Sequence, residues 1–278
     1  MPSNKRSKNR GGNAANRSAG NRTSSPGSSS TPSSTGATGG SRGAARTQEA
    51  RLAQQQADRR RQRLILSAVV IGVVVLVVAA AVGIQAWRAS RQPDAPTAQP
   101  TFGPVEITDG KPIVLGGDDA PVTMSLYEDF RCPHCADFEE TLGSTITDLQ
   151  RDKTIKVELY PMSFVDPEHG SVSAANAVAC AATAGRGQQY YAGLFQNYPL
   201  EWTNERLIKL GELVGLTSAD FRTCVTGQQH RGWVDSINKA AAGRGVDSTP
   251  TVFINGQLQK DADTWKPDQL KAAVEAAS

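Results

Sequence analysis

The chain has 278 residues and a formal net charge of +3, but this charge is unevenly distributed. Residues 1–63 contain 13 Lys and Arg against 2 Asp and Glu, whereas residues 64–278 contain 17 against 25, so the two net charges are +11 and −8. Because the first segment has almost no large apolar side chains and cannot bury a core, a single globular domain over the whole chain is excluded.

Residues 1–63 are predicted to form a disordered, basic, cytoplasmic tail, since they are mainly Ser, Thr, Gly, Asn, Ala and Arg. Residues 49–63 could extend a helix towards the apolar segment that follows. The arginines and lysines recur without aromatic residues, which favours a role in membrane topology. Binding of the tail to a polyanion is the alternative, and nucleic acid is not an expected partner.

Residues 64–87 are an uncharged segment of 24 residues, rich in Val, Ala, Ile and Leu. Since about 20 helical residues span the hydrocarbon core of a bilayer, they predict a single transmembrane helix with Trp87 at an interface. A cleaved signal peptide is the alternative, although its apolar region is usually only about 7–15 residues long. Six arginines in residues 44–63, against two in residues 85–104, predict a cytoplasmic N-terminus and an extracytoplasmic domain at the cell membrane.

Residues 88–104 are Pro-rich and predict an extended linker, which leaves residues 105–278 as one domain. Apolar runs on both sides of Asp109–Gly110 predict a hairpin at its start. Strand-like segments at 122–127 and 155–160 enclose a helical pattern, which predicts a parallel β-α-β unit.

A block of helical patterns follows, at about residues 165–245. Thr203 and Ser218 are predicted caps of two of these helices. The apolar run at 251–255, with the Asn255–Gly256 turn, predicts a second hairpin, and Pro267 opens the last helix.

The sequence Cys132-Pro133-His134-Cys135 lies between the first strand and the helix of the β-α-β unit. At a helix N-terminus, unpaired N–H groups and the helix dipole favour a negative charge, and Arg131 and His134 would add positive potential. Cys132 is therefore expected to have a lowered pKa, with Cys135 one turn later, within reach for a disulfide. A stabilised thiolate favours the reduced form, so the disulfide form would oxidise other proteins.

Other uses of this pattern remain possible. A C-x-x-C pair is half of many zinc sites, but Cys180 and Cys224 are 44 positions apart and supply no second pair, so no metal is predicted. Covalent haem attachment needs a histidine where this chain has Ala136, and no other cofactor is predicted. A purely structural disulfide between Cys132 and Cys135 is the remaining alternative.

With CPHC after the strand MSLYEDF, a helical block, and STPTVFING about 115 positions after Cys135, the chain resembles the DsbA-like thiol:disulfide oxidoreductases. The resemblance covers about residues 120–278, and the single N-terminal anchor resembles members from actinobacteria. It implies an α/β thioredoxin fold with an inserted helical domain, preceded by the disordered tail and the transmembrane helix.

The resemblance also implies roles for the residues of the motif. Cys132 would be the nucleophile that forms a mixed disulfide, and Cys135 would be the buried resolving cysteine. Pro133 and His134 would tune the redox potential towards oxidation.

Outside the motif, Thr249–Pro250 would be a cis peptide that presents backbone groups to a substrate. The family often has a buried acid six residues before the first cysteine, where this chain has Leu126. Glu128, on the same face of the strand, is a possible proton acceptor for Cys135 or else a solvated strand-end carboxylate. Thr before the proline also occurs in isomerase and reductase relatives.

Cys180 and Cys224 are predicted to form a structural disulfide, because an even remainder of cysteines outside the cytoplasm favours pairing. Two buried free thiols and a second redox pair are the alternatives.

These features together predict a membrane-anchored enzyme that donates disulfides to reduced exported proteins. A membrane quinone-linked oxidase, similar to DsbB or the VKOR family, would restore its disulfide. The alternatives are an extracytoplasmic reductase or isomerase, for example in cytochrome c maturation, and a non-enzymatic binding or holdase module.

Overall fold

The computed structural model describes residues 40–117 and 119–278. The disordered tail predicted for residues 1–63 lies outside the described residues as far as residue 39. Residues 40–48, which composition assigns to this tail, are helical, and so are residues 49–63, where the sequence allows an extension of the helix. Both segments form the first part of α1 (Gly40–Ser90). The reason is that residues 44–63 contain no Gly or Pro, and that extending an existing helix avoids the cost of nucleation.

Helix α1 contains the one segment of the described residues that is long and apolar enough to cross a membrane, Arg51–Arg88. None of its apolar window is buried inside the protein. Leu66 and Leu76, for example, are 70% and 71% exposed. The chain divides into two units at Val75, and the described part of the first unit is helix alone. An apolar surface of this extent needs cover other than water.

The described residues of the second unit contain a five-stranded sheet. Its strands are β1 (Ile113–Leu115), β2 (Val122–Glu128), β3 (Ile155–Pro161), β4 (Thr251–Ile254) and β5 (Gln257–Leu258). Their order is β1-β3-β2-β4-β5. The predicted parallel pair is confirmed, because β2 and β3 run in parallel with Glu128 opposite Pro161. The other neighbouring strands are antiparallel.

Helices cover the sheet and fill the insertion. They are α2 (Pro133–Arg151), α3 (Gly170–Thr183), α4 (Gly187–Gln196), α5 (Asn204–Leu213), α6 (Ala219–Thr226), α7 (Arg231–Gly243) and α8 (Pro267–Glu275). The predicted caps are confirmed, since the hydroxyls of Thr203 and Ser218 accept hydrogen bonds from the backbone N–H groups of Arg206 and Phe221. Helix α2 forms the crossover between β2 and β3, as the predicted β-α-β unit requires.

One predicted hairpin is wrong and the other is confirmed. Residues 105–108 form no strand, and Val105 donates its N–H to the carbonyl of Ala182 instead. Strand β1 pairs with β3, because the apolar run finds a buried partner there that residues 105–108 do not offer. At Asn255–Gly256, β4 and β5 pair as predicted.

Helices α3 to α7 lie between β3 and β4 in the chain and form the predicted helical insertion. Helix α3 is buried over most of its length, because its alanines allow α4, α6 and α7 to pack closely around it. The Sγ atoms of Cys180 on α3 and Cys224 on α6 are joined at 2.05 Å, as the structural disulfide pairing requires.

The predicted linker is extended but is not a free spacer. Residues 92–104 have neither helix nor strand. Asp94 donates its N–H to the Oδ1 of Asn197 at 2.6 Å, and Thr97 donates its N–H to the Oε1 of Gln196 at 2.8 Å. The linker is therefore attached along the end of α4.

The double replacement Cys180→Ala and Cys224→Ala should lower the free energy of unfolding by about 4 kcal/mol, because a bridge across a loop of about 45 residues restricts the unfolded chain. Urea unfolding of the full-length protein, followed by tryptophan fluorescence, measures this change. An unchanged midpoint would show that the bridge does not constrain the fold.

Candidate active site

The two cysteines of the CPHC motif lie at the first turn of α2. Cys132 is the residue that precedes the helix, in an extended conformation, and Pro133 is its first helical residue. The N–H of Cys132 donates to the carbonyl of Asp129 at 2.9 Å, which closes the turn between β2 and α2. This turn sets the sulfur of Cys132 at the end of α2 where backbone N–H groups lack partners.

The thiol of Cys132 has a pKa lowered from 9.0 to about 5. The largest cause is a hydrogen bond from the thiol of Cys135, followed by hydrogen bonds from Thr249 and from the backbone N–H groups of Cys135 and His134, while burial opposes the shift. Each of these donors favours the anion because it satisfies a negative sulfur. Cys132 is only 6% exposed, so little of its surface is accessible to a reacting thiol.

The two residues expected to add positive charge behave differently. His134 is exposed on the first turn of α2. The guanidinium of Arg131 instead donates to the carbonyl of Leu200 at 3.0 Å, in the helical insertion. Hydrogen bonds rather than neighbouring cations therefore stabilise the Cys132 thiolate.

Cys135 has the opposite character. Its side chain is 0% exposed, and burial raises the pKa of its thiol far above the ordinary value. The hydrogen bond to Cys132 and the charge of Glu128 raise this pKa further. In the reduced state the pair therefore holds one proton, on Cys135, and one negative charge, on Cys132.

Thr249 and Pro250 lie against the cysteine pair. The peptide bond between them is cis. The carbonyl oxygen of Thr249 is 3.5 Å from the Sγ of Cys132 and can accept a hydrogen bond from its thiol when that thiol is protonated. The position expected to present backbone groups to a substrate is thus adjacent to the reactive sulfur.

Glu128 is fully buried at the end of β2, which excludes the solvated strand-end carboxylate. Its Oε2 accepts a hydrogen bond from the hydroxyl of Tyr191, and its Oε1 has no hydrogen-bond partner among the residues that the structure describes. Burial, and then the charge of Glu139, raise the pKa of Glu128 well above its usual range. Glu128 is therefore a carboxyl that holds its proton more tightly than an ordinary glutamate does.

Two further residues beside Glu128, namely Tyr191 and Glu139, were not predicted from the sequence as residues of the site. Tyr191 on α4 also contacts Glu139, one turn after Cys135 on α2, at 2.8 Å. The spacing of Glu139 from Cys135 puts both on one face of α2, which was a usable signal. The contact of Tyr191 depends on the packing of α4 against α2, for which the sequence carries no local signal.

Asp129 was also missed, although it organises the turn. Its buried carboxylate accepts hydrogen bonds from the N–H of Arg131 at 2.8 Å, the hydroxyl of Ser171 at 2.7 Å and the N–H of Val165 at 2.9 Å. One side chain thus connects the turn before Cys132 to the first segment of the helical insertion.

Within the described residues, one group of ligand-type atoms lies within 4.8 Å of one another, and it consists of Cys180, Cys224 and His230. The two sulfur atoms are bonded to each other and are not thiolates. This arrangement is a disulfide beside a half-buried histidine rather than a set of metal ligands.

Comparison with known proteins finds relatives of the thioredoxin type, several of which are named for disulfide formation or thiol-disulfide exchange. A family model described as thioredoxin matches residues 108–276. A probable disulfide bond formation protein D of Bacillus anthracis is 29% identical over 163 residues, which cover 55% of this chain and 74% of the relative. The structure of MdbA, a thiol-disulfide oxidoreductase from Corynebacterium diphtheriae, has a TM-score of 0.53 and 25% identity, with coverage of 66% of this chain and 96% of that chain.

A Na(+)/H(+) antiporter, NhaA 3 of Salinispora tropica, is 28% identical over 164 residues, or 59% of this chain. The chain spans only about a quarter of that antiporter's length, since the matched part is 24% of it. The match therefore concerns one part of a larger protein.

In the reduced full-length protein, alkylation of Cys132 by iodoacetamide should follow a titration with its midpoint near pH 5 instead of 9, because hydrogen bonds stabilise the thiolate. Mass spectrometry of samples quenched at each pH measures this midpoint. The variant Cys135→Ala, which lacks the strongest donor, should titrate at a higher pH. A midpoint in the parent protein above pH 8 would contradict the geometry.

Proposed function

Because this chain belongs to the thioredoxin family, we propose that its Cys132–Cys135 pair donates disulfides to exported proteins. The predicted resemblance to DsbA-like thiol:disulfide oxidoreductases is confirmed by the family match and by the disulfide formation proteins among the relatives. The class of reaction is thiol:disulfide exchange. The direction of exchange, the substrates and the cellular site are the parts of this proposal that need experiment.

The observation that carries the proposal is the geometry of the cysteine pair, in which Cys132 directly precedes α2 and Cys135 is fully buried one turn later. A lowered pKa of Cys132 stabilises the reduced enzyme relative to its disulfide. A redox pair whose reduced form is stabilised has a more oxidising potential. An enzyme with this pair passes its disulfide to a substrate more readily than it removes one.

The reaction proceeds in two exchange steps. A substrate thiolate attacks the Sγ of Cys132 in the oxidised enzyme, a substrate–Cys132 disulfide forms, and Cys135 leaves as a thiolate that takes up a proton. A second substrate thiolate then attacks the substrate sulfur of that mixed disulfide, and Cys132 leaves as its stabilised thiolate. The substrate has lost two electrons, and the enzyme has gained them as two reduced sulfurs.

Three groups would assist these steps. Pro133 and His134 would set the potential through the first turn of α2, where the N–H of His134 faces the Cys132 sulfur. Thr249–Pro250 would bind the substrate backbone beside the mixed disulfide. Glu128 would exchange a proton with Cys135, consistent with its burial and its unpaired Oε1.

Residues 64–87 would anchor the enzyme in the lipid bilayer as a single-pass helix. The exposed apolar surface of Arg51–Arg88 supports this. The excess of arginines before the segment favours a cytoplasmic N-terminus and an extracytoplasmic catalytic domain. The location at the cell membrane agrees with the need to meet proteins as they are exported.

Turnover leaves two reduced cysteines, so an oxidant must restore the disulfide. A membrane quinone-linked oxidase of the DsbB or VKOR type would accept the two electrons. Since both proteins would lie at the same membrane, the exchange requires only lateral encounter.

A second direction of exchange needs a test, because the residue before the cis-proline is Thr249, and Thr at this position also occurs in isomerase and reductase relatives. A reductase or isomerase would use the reduced pair, for example on cytochrome c cysteines. A non-enzymatic binding or holdase module would need neither sulfur.

The full-length enzyme should reactivate reduced, denatured ribonuclease in a glutathione buffer faster than it reduces insulin, because its disulfide is the less stable form. Cys132→Ala should lose all turnover in both assays. A protein active only in insulin reduction would be a reductase. Activity that persists in Cys132→Ala would indicate a binding module.

The topology predicts opposite accessibility of the two ends of the chain. In a Cys132→Ser background, a cysteine at Ser278→Cys should react with a membrane-impermeant maleimide in intact cells, whereas one at Ser24→Cys should react only after permeabilisation. Gel-shift labelling with a polyethylene glycol maleimide measures both. Equal labelling of the two positions in intact cells would refute the single-pass orientation.

A further inference from the structure

The hydroxyl of Tyr191 lies between two carboxyl groups that come from different elements. It contacts the Oε2 of Glu128 on β2 and the Oε1 of Glu139 on α2. The ring of Tyr191 is held by edge contacts with Phe130 and Phe195, whose centroids are 6.1 and 5.4 Å away. These three side chains, Glu128, Tyr191 and Glu139, are called the carboxyl–tyrosine cluster below.

The carboxyl–tyrosine cluster holds at least one more proton than it would if both of its carboxyl groups were ionised. A tyrosine hydroxyl has one proton to donate, so it can satisfy only one of two carboxylates. The other contact is a hydrogen bond only if that carboxyl is protonated and donates to the phenol oxygen. Burial raises the pKa of both carboxyls, that of Glu139 to about 7, which agrees with a shared proton.

The inner end of the cluster lies close enough to the cysteine pair for their charges to interact. The charge of Glu128 raises the pKa of the Cys135 thiol, and the charge of Cys132 raises that of Glu128. The Oε1 of Glu128 has no hydrogen-bond partner among the described residues, the two cysteine sulfurs included. It is therefore available as the group that exchanges a proton with the buried sulfur.

The outer end of the cluster reaches solvent. Glu139 is partly exposed, in contrast to the buried Glu128. It lines a groove of about 590 Å³ between α2, α4 and the attached linker. Tyr191 forms part of the same wall, so the cluster connects the groove to the active site.

The charged surroundings of the cluster are mainly acidic. From α2, the groove wall includes Asp137, Glu140, Asp148 and, as a cation, Arg151. Helix α4 contributes Tyr191 as a titratable group, and the linker residues at the wall, 97–99, are uncharged. Strand β2 contributes Glu128, and the first turn of α2 contributes the two cysteines. The groove wall beside Glu139 therefore carries more acidic groups than basic ones.

We propose that Tyr191 and Glu139 relay protons between the groove and Glu128, and so supply and remove the proton of Cys135. The proposal rests on the thiol:disulfide exchange assigned above, and it adds the route of the proton. Tyr191 and Glu139 are relay residues, since neither is placed against the reacting sulfurs.

The relay balances in each direction. When Cys135 leaves as a thiolate, Glu128 gives it a proton, Tyr191 gives its proton to Glu128, Glu139 gives its proton to Tyr191, and Glu139 takes one from water in the groove. When Cys135 must attack a mixed disulfide during reoxidation, each proton moves one step the other way. No electron passes through the cluster, because the sulfurs alone exchange electrons.

The test measures the step that needs the proton of Cys135. The reduced full-length protein in detergent is mixed with glutathione disulfide, quenched with acid at set times, and analysed by mass spectrometry for the mixed disulfide on Cys132. Tyr191→Phe and Glu139→Gln should slow the loss of this mixed disulfide roughly tenfold or more, since they interrupt proton transfer. They should also flatten its dependence on pH, while alkylation of Cys132 keeps its midpoint.

Two matched controls separate the relay from a general effect on packing. Tyr190→Phe removes a neighbouring buried hydroxyl that donates to the carbonyl of Leu207, and Glu140→Gln removes the next acid on α2, which has no contact with Tyr191 among the described hydrogen bonds. Both should resolve the mixed disulfide at the parent rate. Near-UV circular dichroism checks the fold of each variant. If Tyr191→Phe does not fold, the result for Glu139→Gln, at a partly exposed position, decides.

Parent-like rates and pH profiles in Glu139→Gln and in folded Tyr191→Phe would overturn the relay and leave the proposed exchange intact. Equal slowing in the control variants would also overturn it. A failure of the proposed thiol:disulfide exchange would give a different result, namely ribonuclease reactivation that persists in the variant Cys132→Ala.

Discussion

The hydrogen bond by which the Cys135 thiol stabilises the Cys132 thiolate, at the start of α2, is the interaction on which the rest of the site depends. It assigns the proton to Cys135 and the negative charge to Cys132, and burial of Cys135 prevents the reverse assignment. A donor inside a low-dielectric environment stabilises an anion more strongly than one in water. Without this pairing, the helix start and Thr249 would leave a sulfur of more ordinary reactivity.

The fold keeps this pair in place through a buried carboxylate outside the motif. Asp129 accepts hydrogen bonds from the turn before Cys132 and from Ser171 and Val165 in the helical insertion. Arg131 adds a contact to Leu200 in the same insertion. The insertion is therefore part of the support of the active site, and a change in its first segment would be felt at the reactive sulfur.

The sequence was sufficient for features that depend on local chemistry. The CPHC motif at a helix start, the parallel strands and the caps at Thr203 and Ser218 all follow from short-range patterns. It was insufficient where distant segments decide. The burial of Glu128 and its contact with Tyr191 depend on how α4 packs against α2. Strand β1 pairs with β3 and not with residues 105–108, which are nearer in sequence.

Because the bridge between Cys180 and Cys224 is itself a disulfide, every newly synthesised copy of this protein needs the same kind of reaction that we propose for its active site. Formation of this bridge in the helical insertion removes two electrons from the two sulfurs and therefore requires an oxidant. Under the proposed function, oxidised copies that are already present would be one such oxidant. A population of the enzyme could then propagate its own mature state, with the first molecules in a cell dependent on another source of disulfides.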